Sequence, residues 1–218
     1  MARLDRFHFE KELRNQGHAS IAGIDEVGRG PLAGPVVVAA VILPNRWLTD
    51  GLPRKLRGLN DSKQLTAKQR EGFYDVLCGT SDVVYSLAQL DAAEVDRLNI
   101  LRATHVAMDS ALAALRPTPQ HVLVDGLVVR SLKFPQTPLV QGDSRSFSIA
   151  AASVIAKVTR DRLMIEYDRI WPAYGFASHK GYATPEHLRA LTDHGPCPIH
   201  RQSFSPVKLT QLDFFESE

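Results

Sequence analysis

Two adjacent acids, Asp25 and Glu26, end a short run that reads as a buried strand, and a Gly28-Arg29-Gly30 turn follows almost at once. Adjacent carboxylates repel unless a positive charge lies between them. A hard divalent cation is the natural partner, because Mg²⁺ prefers carboxylate oxygen and keeps several waters for a phosphate substrate. Gly28 and Gly30 let backbone N–H groups approach a ligand closely, and Arg29 can contact a phosphate. A metal-carrying acid pair beside a phosphate- or sugar-reading turn is the equipment of phosphodiester chemistry.

Two further acids occupy comparable places. Asp125 precedes Gly126 after an apolar stretch, and Asp143 follows Gly142. In an open α/β sheet, active sites collect where loops leave the strand ends. Four carboxylates from three strands suit two divalent ions about 3.5–4 Å apart, which can activate a water and stabilise a leaving oxygen. A single Asp-Gly is also ordinary turn chemistry, so the weight rests on the three places together. Neighbouring side chains on a regular strand point to opposite faces. Asp25 and Glu26 share a site only if the strand bends, for which Gly28 offers the freedom.

The elements that must position these acids follow from pattern. A short amphipathic helix covers 4–15, and strands cover 20–27 and 34–43. A short Gly/Pro-rich connection between those strands favours antiparallel pairing. Residues 45–60 read as a loop. Thr66, with Gln69 three residues on, is a capping box that opens a helix to about Leu77. A third strand covers 82–90, and helical spacing runs from Leu98 to Leu115, ended by Pro117 and Pro119. Strands follow at 121–124 and 139–141. The longest helix candidate is 146–170; its first half is crowded with Ala and Ser, so another backbone packs close to it. Thr184-Pro185 opens a last helix that ends near Gly195, and 196–218 reads as loop and tail. Three early strands, then alternating strand and helix, predict an α/β fold: a mixed five-stranded sheet flanked by helices, with a helical C-terminal extension.

The 218 residues are 44% hydrophobic and 23% charged, which fits one generous domain or a domain with an appendage. Net charge is only +2, so any nucleic-acid affinity needs a local basic face. Arg54, Lys55, Arg57, Lys63, Lys68 and Arg70 lie close enough in sequence to form one, and equally suit a solvated surface. Two cysteines, Cys78 and Cys197, suggest no disulfide framework and point to a reducing, cytoplasmic setting. The N-terminal segment shows no secretory h-region, and the longest apolar run, Val36 to Leu43, is far too short to span a bilayer.

Taken in order, these motifs resemble the ribonuclease HII family, the type 2 ribonucleases H. The matching stretches are Gly23-Ile24-Asp25-Glu26-Val27-Gly28-Arg29-Gly30-Pro31, Asn60-Asp61-Ser62-Lys63, Val124-Asp125-Gly126 and Gly142-Asp143-Ser144. Further on come Ser153 to Asp161, His179-Lys180-Gly181-Tyr182-Ala183-Thr184 and Pro198 to Phe204, so the likeness covers roughly residues 20–207. The resemblance implies a ribonuclease H-like catalytic domain over 1–170, with a helical extension over 171–207 that completes the substrate site. It implies cleavage of the RNA strand of RNA–DNA hybrids and incision of duplex DNA 5′ of single embedded ribonucleotides, with Mg²⁺ or Mn²⁺.

Carried over by position, the resemblance makes Asp25, Glu26, Asp125 and Asp143 the catalytic metal ligands. Gly28, Arg29 and Gly30 would contact the ribonucleotide 2′-hydroxyl through the backbone, Tyr182 would stack on the junction sugar, and Lys63 would hold a phosphate. For Ser153 and Lys157, one helical turn apart, two roles fit: approach to a phosphate, or anchorage of the helix to the sheet. His179 and Lys180 are placed near substrate by their nearness to Tyr182. His194, Cys197 and His200 lack a convincing fourth zinc ligand and read as packing.

Two rivals are weighed against this. Ribonuclease HIII shares the fold but usually carries a large N-terminal domain, whereas about twenty residues precede the first strand here. A non-catalytic binding module on the same fold would be expected to have lost acids, and all four are present.

The last residues, 208–218, differ in kind. Phe214 and Phe215 beside Leu212 are costly to leave in water. Either they pack back onto the domain, or Gln211-Leu212-Asp213-Phe214-Phe215 is a docking peptide, since it resembles the short motif by which bacterial replication proteins bind the sliding clamp. The expected state is a monomer with no membrane association.

Overall fold

The computed structural model describes residues 5–209. In chain order the elements are α1 (His8–Asn15), β1 (Ile21–Val27), β2 (Val36–Ile42), α2 (Asn45–Asp50), α3 (Ala67–Gly79), β3 (Val84–Leu90), α4 (Ala92–Leu98), α5 (Ile100–Ala114), β4 (His121–Asp125), β5 (Gln136–Leu139), α6 (Gly142–Arg145), α7 (Phe147–Ile170), α8 (Phe176–His179) and α9 (Pro185–His194). The mixed sheet has five strands in the order β3-β2-β1-β4-β5. β1 runs parallel to β4, with Ile24 opposite Val124, and β4 runs parallel to β5, with Asp125 opposite Leu139. Val122, Leu123 and Val124 are fully buried, as the near-continuous apolar runs of parallel strands require.

The crowding of small residues at the start of the long helix has a direct cause. A Cβ on Gly23 of β1 would sit 2.2 Å from the backbone carbon of Ser148 and 2.4 Å from the amide nitrogen of Ile149. The first turn of α7 therefore lies against the backbone of β1, and only glycine admits that approach. Glu10 of α1 is buried at the same helix start, where it accepts from the Ser146 hydroxyl at 2.6 Å and the Ser148 amide at 3.1 Å. A carboxylate there satisfies an otherwise unpartnered helix-start donor.

Several boundaries differ from the pattern reading. The expected loop at 45–60 contains α2, a helix too short for periodicity to show, anchored by buried Trp47. The helix expected over 98–115 is present as α5, and the pattern reading misses α4 before it, which starts at a capping box of Asp91 and Glu94 and is separated from α5 by Asn99 at φ +63°. The fifth strand lies at Gln136–Leu139 rather than 139–141. Pro138 falls within it, which an edge strand tolerates and a sequence pattern reads as a break. Residues 205–209, expected as loop, are helical, with Val207 fully buried. The capping box of Thr66 and Gln69 is present as read.

The residues group into two compact units. One comprises residues 5–27, Val38–Ala88 and His105–Val158, and its core includes Leu13, Ile21, Leu123, Leu139 and Ile149. The other comprises Gly28–Val37, Gln89–Thr104 and residues 159–209, and its core includes Leu32, Met164, Tyr174, Phe176, Leu191 and Val207. Among the described residues, no helix is long and apolar enough to cross a membrane.

Candidate active site at the ends of three strands

Because β1 and β4 are parallel and in register at Ile24 and Val124, one further residue on each brings Asp25 beside Asp125. β5 ends at Leu139, opposite Asp125, and the chain turns back at Gly142. The Gly142 amide donates to Asp125 Oδ1 at 2.6 Å, which delivers the next residue, Asp143, to the same place. One oxygen from each of Asp25, Asp125 and Asp143 lies within 4.8 Å of the others. Asp25 and Asp143 are buried, and Asp125 is half-buried.

Two of these carboxylates, Asp25 and Asp143, resist ionisation. Burial, then the charges of Glu26 and Asp125, push Asp25 well above the usual carboxylate range, against opposing hydrogen bonds from Ser153 and the Glu26 amide. Burial, then the charges of Asp125 and Asp61, push Asp143 up to about 6. Three converging carboxylates fit a divalent cation, and an all-carboxylate donor set suits a hard ion such as Mg²⁺ or Mn²⁺.

The fourth expected acid, Glu26, is half-buried and stands outside this trio, as alternation along a strand requires. Its amide donates to Asp25 Oδ1 at 2.7 Å. Lys63 lies beside the acids. Burial works against its charge, but Asp61, Asp25, Asp143 and Asp125 outweigh it and hold its pKa above the ordinary lysine value. The segment that carries it is fixed at both ends. Asp61 accepts from the Lys63 amide at 2.9 Å, and the Ser62 and Ser153 hydroxyls are hydrogen-bonded to each other at 2.9 Å. Arg70 folds back to donate to the carbonyls of Ser62 and Leu65, so this member of the expected basic face holds the loop. Ser153 thus anchors α7 to both Asp25 and the Lys63 segment. Lys157 is half-buried one turn further along α7.

In the second unit, Gly28 adopts φ +88°, and a Cβ there would lie 2.2 Å from Arg160 Nε and 2.6 Å from the Pro35 carbonyl oxygen. Only glycine fits. Gly30 faces the ring of Tyr182, whose Cε1 would be 3.9 Å from an added Cβ. Tyr182 is 42% exposed, while its backbone is tied down: its amide donates to His179 O, and His187 Nδ1 bonds its carbonyl at 2.9 Å. His179 is used internally, with Nδ1 accepting from the Gly181 amide and Nε2 against Tyr174 O. The Lys180 ammonium bonds the Ala177 carbonyl. His200 pairs with His187, Nε2 to Nε2, at 3.0 Å. Arg160 and Arg201, which pattern reading leaves without a role in the site, are fully buried against the Gly28-Arg29-Gly30 turn and the residues after it. The only signal for them in the sequence is their position inside the stretches that carry the resemblance.

The family model described as Ribonuclease HII matches residues 22–207. A ribonuclease HII of Geotalea daltonii is 49% identical, covering 95% of this chain and 96% of the relative. One from Geobacter sp. strain M21 is 52% identical, covering 94% and 86% respectively. The crystal structure of the ribonuclease H2 from Pyrococcus horikoshii superposes with a TM-score of 0.76 at 27% identity, over 90% of this chain and 99% of that one. Sheet, flanking helices and strand-end carboxylates together define a nuclease of ribonuclease H-like fold. The chain belongs to the ribonuclease HII family. It is accordingly an enzyme, a hydrolase, rather than a binding module on a borrowed fold.

Proposed function

We propose that this chain is a metal-dependent endoribonuclease that hydrolyses the RNA strand of RNA–DNA hybrids and incises duplex DNA 5′ of a single embedded ribonucleotide, leaving 3′-hydroxyl and 5′-phosphate ends. The observation that carries this reading is the convergence of Asp25, Asp125 and Asp143 within 4.8 Å, in a chain of this family. Two Mg²⁺ or Mn²⁺ ions, held by these three acids and Glu26, would supply an activated water and stabilise the leaving 3′-oxygen. The chain's own residues do the rest. Ser153 orients Asp25 by hydrogen bonding. Lys63 stays cationic beside the acids and holds a substrate phosphate.

Discrimination rests on the 2′-hydroxyl, the one group that separates RNA from DNA at a given position. Gly28, Arg29 and Gly30 read it through the backbone, where any side chain would stand in the way. Tyr182, with its ring exposed, stacks on the next sugar and favours a deoxyribose there, since a hydroxyl would crowd the ring. Such an enzyme serves ribonucleotide excision repair and RNA primer removal, and acts in the cytoplasm as a monomer.

The test is cleavage of three labelled duplexes, one with a single ribonucleotide, one a long RNA–DNA hybrid and one all DNA, in Mg²⁺, Mn²⁺ or EDTA. Metal-dependent incision 5′ of the lone ribonucleotide, with the all-DNA duplex intact, is the expected result. Cleavage of the hybrid alone would remove the junction reading, and cleavage in EDTA would remove the metal mechanism.

The tail carries a second proposal. Residues 211–215 lie outside the described part of the chain, and the reading rests on the Gln211-Leu212-Asp213-Phe214-Phe215 sequence alone. We propose that Gln211, Leu212, Phe214 and Phe215 dock on the replication sliding clamp. Deletion of 211–218 should abolish clamp capture in a pull-down and leave cleavage unchanged; capture by the truncated protein would refute it.

A further inference from the structure

Arg160 and Arg201 head the fully buried side chains among the described residues, each with no exposed surface. A buried guanidinium is costly unless its N–H groups are all engaged, and an apolar side chain of like volume fills space more cheaply. Packing therefore does not account for two of them.

Their partners do. Arg201 donates from Nη1 to the Arg29 carbonyl at 2.9 Å and from Nη2 to the Gly28 carbonyl at 2.5 Å. Its Nε and Nη2 also reach the Gly34 carbonyl, at 3.1 and 2.9 Å. Arg160 donates to the carbonyls of Pro35 at 2.9 Å, Ala33 at 3.0 Å and Lys180 at 2.9 Å. The acceptors are main-chain oxygens of the turn that follows β1 and of the loop before Tyr182. The Arg201 guanidinium also lies over the Phe204 ring, 5.0 Å from its centroid. Burial, then the nearby Arg160 charge, lowers its pKa to about 9, so it remains a cation at neutral pH.

One geometric fact gives these bonds a consequence. A trans peptide is planar, with C=O and N–H pointing opposite ways. The Gly28 carbonyl shares its peptide with the Arg29 amide, and the Arg29 carbonyl shares its peptide with the Gly30 amide. A single guanidinium that grips both carbonyls from behind fixes the direction of both amides in front. The positive φ of Gly28 lets the two successive carbonyls reach one fork. Arg suits this task because its donors are rigidly spaced, whereas lysine offers a flexible point charge.

We infer that Arg201 is a positioning residue that aims the amides of Arg29 and Gly30 at the ribonucleotide 2′-hydroxyl, while Arg160 holds the far half of the same turn at Ala33 and Pro35. This inference rests on the proposed reading of the Gly28-Arg29-Gly30 turn. Arg201 touches no substrate; it sets the discrimination between RNA and DNA through the backbone.

The test measures binding in EDTA, so that no cleavage intervenes. Duplexes with one ribonucleotide and with none are titrated against wild type and Arg201→Lys, which keeps the charge and loses the fork. Wild type should prefer the ribonucleotide duplex. Arg201→Lys should bind all-DNA duplex within about twofold of wild type and lose about tenfold of that preference, the worth of one or two hydrogen bonds. A merely structural loss would weaken both duplexes alike. Absence of any preference in wild type would sink the underlying reading. A wild-type preference fully retained in folded Arg201→Lys would overturn this inference alone. Should Arg201→Lys fail to fold, Phe204→Leu decides, since it removes the ring beside the guanidinium and keeps the fork: a smaller loss of preference is expected, and none would overturn the inference.

Discussion

The Gly142 amide and the Asp125 carboxylate meet at 2.6 Å, and this one bond couples two of the three acids, because Asp143 is the next residue. A Cβ on Gly142 would lie 2.6 Å from Ile149 Cδ1, 3.1 Å from Leu139 Cβ and 3.2 Å from Asp125 Oδ1. Gly142→Ala must therefore push Ile149 Cδ1 aside and crowd Leu139 and the Asp125 carboxylate. Overpacking of this kind costs about 1–3 kcal/mol, and the displaced carboxylates should bind metal less well. The expected outcome is a lower Tm and at least about tenfold weaker Mn²⁺ binding by calorimetry. Wild-type Mn²⁺ affinity in the folded variant would show that the bond does not set the acids.

Stability of the metal-free protein should depend on pH through Asp143. Its folded pKa, about 6, exceeds the unfolded value near 3.8, so the fold favours its protonated form. That contribution is fully present below the unfolded value and is lost as pH rises through about 6. His187 and His200 act in the opposite sense. Burial depresses both to about 4, so their contribution is present above the ordinary histidine range and is lost as pH falls toward 4. Comparison with Asp143→Asn isolates the acid. In EDTA the variant should gain Tm relative to wild type between pH 5 and pH 8, and Mg²⁺ at pH 8 should shrink the difference by stabilising wild type. A Tm difference independent of pH would contradict the assignment.

Lys63 carries a separable prediction. Its charge lowers the pKa of Asp143, and its proposed role is to hold a phosphate. Lys63→Gln should raise KM by about tenfold, the worth of a hydrogen bond to a charged group. It should also move the acid limb of the pH–rate profile upward, since Asp143 then ionises at higher pH. A raised KM with an unmoved acid limb would confine Lys63 to substrate binding.

Much of the site is legible in the sequence because strand-end chemistry is local. Asp25, Asp125 and Asp143 each stand beside a turn, and parallel register then brings them together without further instruction. Gly23 shows why the Ala- and Ser-rich start of α7 betrays a close backbone. The remainder is not local. Whether Glu26 joins the acids depends on the path of one strand end, which residue types do not specify. Arg201 donates to carbonyls some 170 positions away, a separation of 172 for Arg29, and no spacing rule reaches that far. The helix α4 carries a capping box at Asp91 and Glu94, but it is too short for periodicity to mark it.

The central claim is that Asp25 works through metal at the reacting phosphate. Single-turnover cleavage of a duplex with one ribonucleotide, by wild type and Asp25→Asn at saturating Mg²⁺, tests it most directly. The amide keeps the size of the side chain and removes its charge. The account predicts a rate lower by roughly a thousandfold, about 4 kcal/mol of lost transition-state stabilisation, with duplex binding within about twofold of wild type. Cleavage by Asp25→Asn within a few-fold of wild type would contradict it.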